Sequence, residues 1–231
     1  KGIHLEGLRV LGRPESFAKA YYEQGADELI YQDTVASLYQ RNSLTDIISK
    51  TVRDIFIPLT VGGGIRTLDD INNILRAGGD KVSINTAAIR SPNFINEASQ
   101  NFGSSTILVA IEASLQTNGD YLAYTDNGRE HTGVEVISWA KEIEDRGAGE
   151  ILLTSIDNEG TGKGFDLNLI KKVSKSVNIP VIAHGGASNE IDISNSINKS
   201  GADAIAISSM IHYAQLKNNL NNFDEKEAEG N

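Results

Sequence analysis

The feature that most limits what this chain can fold into is an internal repeat. Gly63 and Gly64 recur 122 positions on as Gly185 and Gly186, each pair after an apolar run led by proline (Pro58 and Pro180). Gly25-Ala26-Asp27-Glu28-Leu29-Ile30 resembles Gly147-Ala148-Gly149-Glu150-Ile151-Leu152 at the same interval. Gly79-Asp80-Lys81-Val82-Ser83-Ile84 resembles Ala202-Asp203-Ala204-Ile205-Ala206-Ile207 at 123. Short β-branched runs alternate with longer amphipathic segments throughout, the pattern of buried parallel strands joined by helices. Strands are expected at 28–32, 59–61, 81–85, 106–112, 150–155, 181–183 and 204–208. Two halves of four strand–helix units make eight, the number that closes a barrel. The expectation is therefore one α/β domain over residues 1–231, a (β/α)8 TIM barrel with a two-fold half-barrel repeat. Its first strand is absent and is expected just upstream of Lys1, because an open seven-strand sheet would leave two unpaired edges.

Local signals agree with that plan. Pro14 opens a helix over 15–24, and Thr67 with Asp69 and Asp70 opens another, while Gly25, Gly78 and Gly147 close helices. Asn118-Gly119-Asp120 predicts a β-hairpin over 118–132, a lid or loop anchor. The polar tail 221–231 is expected to fray.

Composition narrows the function. With 39% hydrophobic and 23% charged residues the chain can bury a core. No apolar run has the roughly 18 residues of a membrane span, so no membrane association is expected. The net charge of −10, from 21 Lys+Arg against 31 Asp+Glu, argues against nucleic acid as a partner. The absence of cysteine excludes thiolate metal sites and fits a reducing, cytoplasmic setting. His4, His131, His184 and His212 show no metal-ligand spacing, so neither metal nor cofactor is expected.

In such a barrel the chemistry sits just past the C-terminal ends of the strands. There stand Gly63 and Gly64, then Ser83, Asn85 and Thr86, then His184, Gly185 and Gly186, then Ser208 and Ser209. Glycine admits phosphate to backbone N–H groups, and hydroxyls and amides complete the cradle. Two such cradles predict a bisphosphate small-molecule substrate; the alternative is that the glycines serve only tight turns. Between them Glu112 ends an apolar strand, where desolvation would raise its pKa for general acid/base work. Asp33 and Asp157 are secondary candidates for orienting loops or substrate hydroxyls. At the other end, Glu28, Lys81 and Glu150 begin alternate strands and read either as a self-satisfied ionic layer or as a gate into the barrel.

Thr60-Val61-Gly62-Gly63-Gly64-Ile65, the string Asp80-Lys81-Val82-Ser83-Ile84-Asn85-Thr86-Ala87-Ala88, Gly147 through Asp157 and Gly160-Thr161 together resemble the cyclase subunit of imidazole glycerol phosphate synthase, over nearly the whole chain. The resemblance implies a heterodimer with a glutaminase subunit, whose ammonia passes up the barrel and attacks a phosphoribulosyl aminoimidazole-carboxamide ribotide (PRFAR). The products are imidazole glycerol phosphate and an aminoimidazole-carboxamide ribotide. By position it implies that Gly64, Asn85 and Thr86 hold one phosphate and Gly160, Gly186 and Ser209 the other. Lys1 resembles the lysine of a mobile active-site loop, and Thr154 a polar residue lining the site. Glu28, Lys81 and Glu150 match the ammonia gate, and Asp80 a floor residue facing the glutaminase.

Three departures stand out. The family's first catalytic aspartate belongs to the strand expected upstream. Glu112 replaces the second, lengthening the side chain by about 1.5 Å where roughly 1 Å of misplacement can cost a hundredfold. His184 stands where the family usually has Ser. With Asp126 through Gly133, these changes also resemble a branch that supplies ammonia for sugar amidation in surface polysaccharides, where His184 would meet a different phosphate or sugar. A non-catalytic barrel that activates a glutaminase is the third reading.

Overall fold

The computed structural model describes residues 4–5, 12–34 and 44–219. Its sheet contains β1 (Leu29–Gln32), β2 (Leu59–Gly62), β3 (Lys81–Ile84), β4 (Ile107–Leu115), β5 (Tyr121–Thr125), β6 (Glu130–Glu135), β7 (Glu150–Ser155), β8 (Val181–His184) and β9 (Ala204–Ala206). The helices are α1 (Pro14–Glu23), α2 (Thr45–Thr51), α3 (Leu68–Ala77), α4 (Thr86–Arg90), α5 (Asn93–Phe102), α6 (Val136–Asp145), α7 (Leu167–Ser174), α8 (Glu190–Ser200) and α9 (Ser209–Asn219). Strands pair in parallel in the order β1-β2-β3-β4-β7-β8-β9, so each expected strand is present beside its expected neighbour. Lys1, the strand expected upstream of it and the tail 221–231 lie outside the described residues.

Alternate residues of the same strands bury on opposite faces. Val61, Ile84, Val109, Ile111, Leu153 and Val181 belong to a large cluster shared with the helices. Leu108, Ala110, Leu152 and Ile182 form a separate cluster with Ile30 and Ala206 against it. A sheet packed by helices on one face and by its own side chains on the other is the (β/α)8 arrangement. The helical layer comes round on itself: the Tyr21 hydroxyl meets His212 Nδ1, their rings stack 5.7 Å apart, and Gln24 donates to Gln215 at 2.8 Å. Thus α1 and α9 are neighbours.

The repeat survives down to single hydrogen bonds. Asp80 Oδ2 accepts from Leu59 N–H at 2.8 Å, as Asp203 Oδ2 accepts from Val181 N–H at 2.9 Å. Thr67 with Asp70 and Asn189 with Asp192 form matching capping boxes on α3 and α8. Gly78 and Gly201 then end those helices at φ 110 and 78.

One element is placed differently from the expectation. Strand β4 does not stop at Glu112 but runs on to Leu115, and β5 folds back antiparallel on this extension, with Glu112 opposite Tyr124. The turn at Asn118 joins β4 to β5, and a second turn at Asp126 and Asn127 joins β5 to β6. The insertion is a three-strand meander grown out of the barrel strand itself.

Equivalent caps should contribute equally. Thr67→Ala and Asn189→Ala are each expected to cost ~1 kcal/mol, and the double variant the sum, in urea-unfolding midpoints. A loss confined to one half would contradict the repeat's energetic equivalence.

Candidate active site

Strand β4 presents Glu112 to the barrel axis because Leu108 and Ala110, four and two residues before it, belong to the inner cluster. Its Oε2 accepts the Gly128 N–H at 2.8 Å, from the turn between β5 and β6. Burial pushes the carboxyl up to about 7; the Gly128 N–H opposes that, the Asp126 charge adds to it, and Asn85 and Arg129 pull it back. Near neutrality the group can give or take a proton.

Glu112, Gly64, Ser83, Asn85 and Thr86 line one cavity of about 390 Å3. Gly63 and Gly64 take φ of 106 and 71, and a Cβ on Gly63 would lie 2.4 Å from the Asp33 carbonyl oxygen, so only glycine fits there. Asn85 Nδ2 donates to the Tyr124 carbonyl at 3.2 Å, and Asn85 Oδ1 and Ser83 Oγ are buried without a partner in the described structure. The Thr86 hydroxyl accepts the Asp126 N–H at 3.2 Å. Asp33 lines this cavity too.

The second set lies on the loops after β7, β8 and β9. Register sets Glu112 beside Thr154 and Thr154 beside His184, all on the inner face. Thr154 Oγ1 and His184 Nδ1 are 3.0 Å apart, so the hydroxyl orients the ring. Gly160 and Gly186 take φ of 73 and 105, and a Cβ on Gly186 would come 2.1 Å from the Gly164 carbonyl oxygen. Close backbone packing alone therefore requires Gly186. Ser209 is half-buried at the start of α9. Asp157 accepts from Ser114 Oγ at 3.1 Å and Leu115 N–H at 2.8 Å, so of its two expected roles these contacts belong to orienting a loop, the extension of β4.

Sequence reasoning missed the groups that bridge these loops. Glu159, 1% exposed, accepts the Leu5 N–H at 3.0 Å on its carboxylate and the His4 N–H at 2.9 Å on its carbonyl. His4 Nδ1 lies 2.8 Å from the Ile156 carbonyl, and Asn127 Nδ2 donates to the Leu5 carbonyl at 2.7 Å. Residues 4–5 thereby join the β5–β6 turn to the loop after β7. The Asp126-Asn127-Gly128 turn signal was visible in the sequence, but its target, Glu112, was not.

At the opposite end Lys81 donates to Glu150 at 2.7 Å and to both Glu28 oxygens at 3.1 and 3.2 Å. Burial works against its charge, yet hydrogen bonds from Glu150 and Glu28 outweigh it and hold the ammonium above its ordinary pKa. Glu150 Oε2 is buried without a partner in the described structure. Asp80, exposed, ties one oxygen to the β2 backbone at this same end. Among the described residues no cluster of three His, Asp or Glu could hold a metal, and no helix is long and apolar enough to cross a membrane.

The family of histidine biosynthesis proteins matches residues 1–217. Imidazole glycerol phosphate synthase subunit HisF of Legionella pneumophila is 60% identical over 186 residues, covering 80% of this chain and 88% of that protein. The subunit of the same name from Alkaliphilus metalliredigens is 43% identical over 97% of this chain and 91% of its own length. That of Prochlorococcus marinus is 46% identical over 94% and 85%.

The Glu112 environment predicts a pH-dependent stability. The carboxyl is neutral longer in the folded chain, so its contribution is complete below about pH 4.5 and is lost as pH rises through about 7. Glu112→Gln, which stays neutral, should gain in Tm over the parent progressively between those values, measured by circular dichroism. A Tm difference constant across that range would refute the raised pKa.

Proposed function

The chain belongs to the family of imidazole glycerol phosphate synthase subunit HisF, and from that membership we propose its reaction and the residues that perform it. The protein is the cyclase: ammonia from a glutaminase partner converts PRFAR to imidazole glycerol phosphate and an aminoimidazole-carboxamide ribotide. The observation that carries this reading is Glu112, titrating near 7 in the wall of a cavity of about 390 Å3 that it shares with Gly64 and Thr86. A group poised at that pH can take a proton from the attacking nitrogen and return one to the leaving group. Gly64, Ser83, Asn85 and Thr86 hold one phosphate of the substrate. Thr154, Gly160, His184, Gly186 and Ser209 hold the other end, and Lys1, which lies outside the described residues, keeps the substrate-binding role that its resemblance implies. The names of the relatives favour this over the surface-glycan branch.

The barrel axis supplies a route for ammonia. Lys81, bridging Glu28 and Glu150, closes the far end, and parting that bridge opens it. Above it the inner cluster of Leu108, Ala110, Leu152 and Ile182 excludes charged species, while the Thr60 hydroxyl, buried without a partner among the described residues, offers a hydrogen bond to ammonia. The glutaminase docks at this end, where Asp80 stands beside a recess formed with Pro58 and the 81% exposed Phe56. Large exposed aromatics of this kind anchor interfaces. The cytoplasm, where both subunits meet their substrates, is the expected setting.

Ammonium-dependent consumption of PRFAR by the full-length protein tests the assignment. Glu112→Gln is expected to lower kcat by roughly 10²–10⁴-fold, and the parent's pH profile to turn near 7. No turnover by a folded parent would refute the cyclase reading. Lys81→Ala should lose glutamine-driven turnover in the complex while keeping ammonium-driven turnover; equal losses from both sources would refute the gate.

A further inference from the structure

The cavity holds a cation that the glycine cradle alone did not predict. Thr86 and Arg90 are four residues apart on α4, so they rise from one face of that helix, and both line the cavity with Glu112. Arg90 Nη2 donates to Asp126 Oδ2 at 2.8 Å, and the Asp126 N–H donates to the Thr86 hydroxyl at 3.2 Å. The three residues form a closed junction at the cavity rim.

The members of that junction are unequally placed. The Asp126 side chain is 11% exposed and the Arg90 side chain 66%. Asp126 and Asn127 adopt φ of 52 and 61, a left-handed pair of the kind Asp and Asn accept in tight turns. An ion pair this open adds little to stability. What the junction does accomplish is geometric: a buried carboxylate on a constrained turn grips one edge of an exposed guanidinium and sets its direction. Arginine has five donors in a planar fork, so one bond to Asp126 leaves others for a second anion. Also lining this cavity, the Ser83 hydroxyl is buried without a partner in the described structure, a donor placed for a ligand oxygen.

We propose that Arg90 is a phosphate-binding and specificity-determining residue, aimed by Asp126 onto the phosphate monoester seated at Gly64 and Thr86. This deepens, and rests on, the reading of the cavity as a phosphate site. A dianionic end group gains a forked, charge-assisted contact; a singly charged one gains a weaker contact and a neutral one none of this kind. Arg90 thereby selects substrates phosphorylated at this end.

Two measurements on the full-length protein test it. In the first, the Arg90 side-chain N–H resonance, identified by its loss in Arg90→Gln, should move on titration with inorganic phosphate. In the second, with the glutaminase complex and PRFAR, Arg90→Gln should raise KM about tenfold, the effect of losing one hydrogen bond to a charged group, with kcat little changed. Arg90→Lys, which keeps charge without the fork, should fall between. Added salt should raise the parent's KM more than that of Arg90→Gln. A purely structural ion pair would lower Tm and leave these KM differences absent. An unmoved resonance, or equal KM in parent and Arg90→Gln, overturns the assignment. A moving resonance in a protein that does not consume PRFAR supports the assignment and counts against the cyclase reading instead.

Discussion

A side chain on the inner face of this sheet has nowhere to go but the barrel axis, and every functional arrangement follows from that restriction. The strands are buried on both faces, so residue parity decides whether a group packs under the helices or joins a single central column. Ile111 and Leu153 went outward into the large cluster, and their neighbours Glu112 and Thr154 consequently face the axis. With adjacent strands about 4.8 Å apart, in-register inner residues become neighbours. Thr60 and Lys81 meet in this way low in the barrel, and Thr154 and His184 at its mouth. The ionic bridge and the carboxyl group are the two ends of one column.

The cost of burying Glu112 there shows in its acidity. A carboxylate removed from water and set near Asp126 resists ionisation, while the Gly128 N–H and the Asn85 amide limit how far the shift goes. The restraint comes from the meander, itself a continuation of β4, and Asp157 pins that continuation. The turn between β5 and β6 offers the Glu112 carboxyl a fixed donor at 2.8 Å. Through Asn127 and Glu159 the same turn is tied to residues 4–5 and the loop after β7, so the loops at the mouth form one hydrogen-bonded set.

Some features were legible because their causes are local. Asp80 and Asp203 precede their strands by one residue and clip the neighbouring strand in both halves, so a repeated sequence produced a repeated bond. Thr67 with Asp70 is a capping box readable from spacing. Glu112 at the end of an apolar run was recognisable for the same reason. Asp157 was legible as a strand-end carboxylate that orients a loop, but not which loop, because the β4 extension it holds lies 42 residues away.

The chain alone determined the number of strand–helix units present, their order, the two-fold repeat and which residues reach the C-terminal ends of the strands. Those properties follow from periodicity, glycine conformation and capping, each set within a few residues. Tertiary structure decided what the strand-end groups touch: Glu112 on Gly128, Arg90 on Asp126, His184 on Thr154 and Lys81 between two carboxylates. These pairs join segments 16 to 69 positions apart. Their geometry depends on sheet curvature and loop path, which no local pattern encodes, and burial, the main cause of the Glu112 shift, exists only once the sheet has curled and the loops have packed over it.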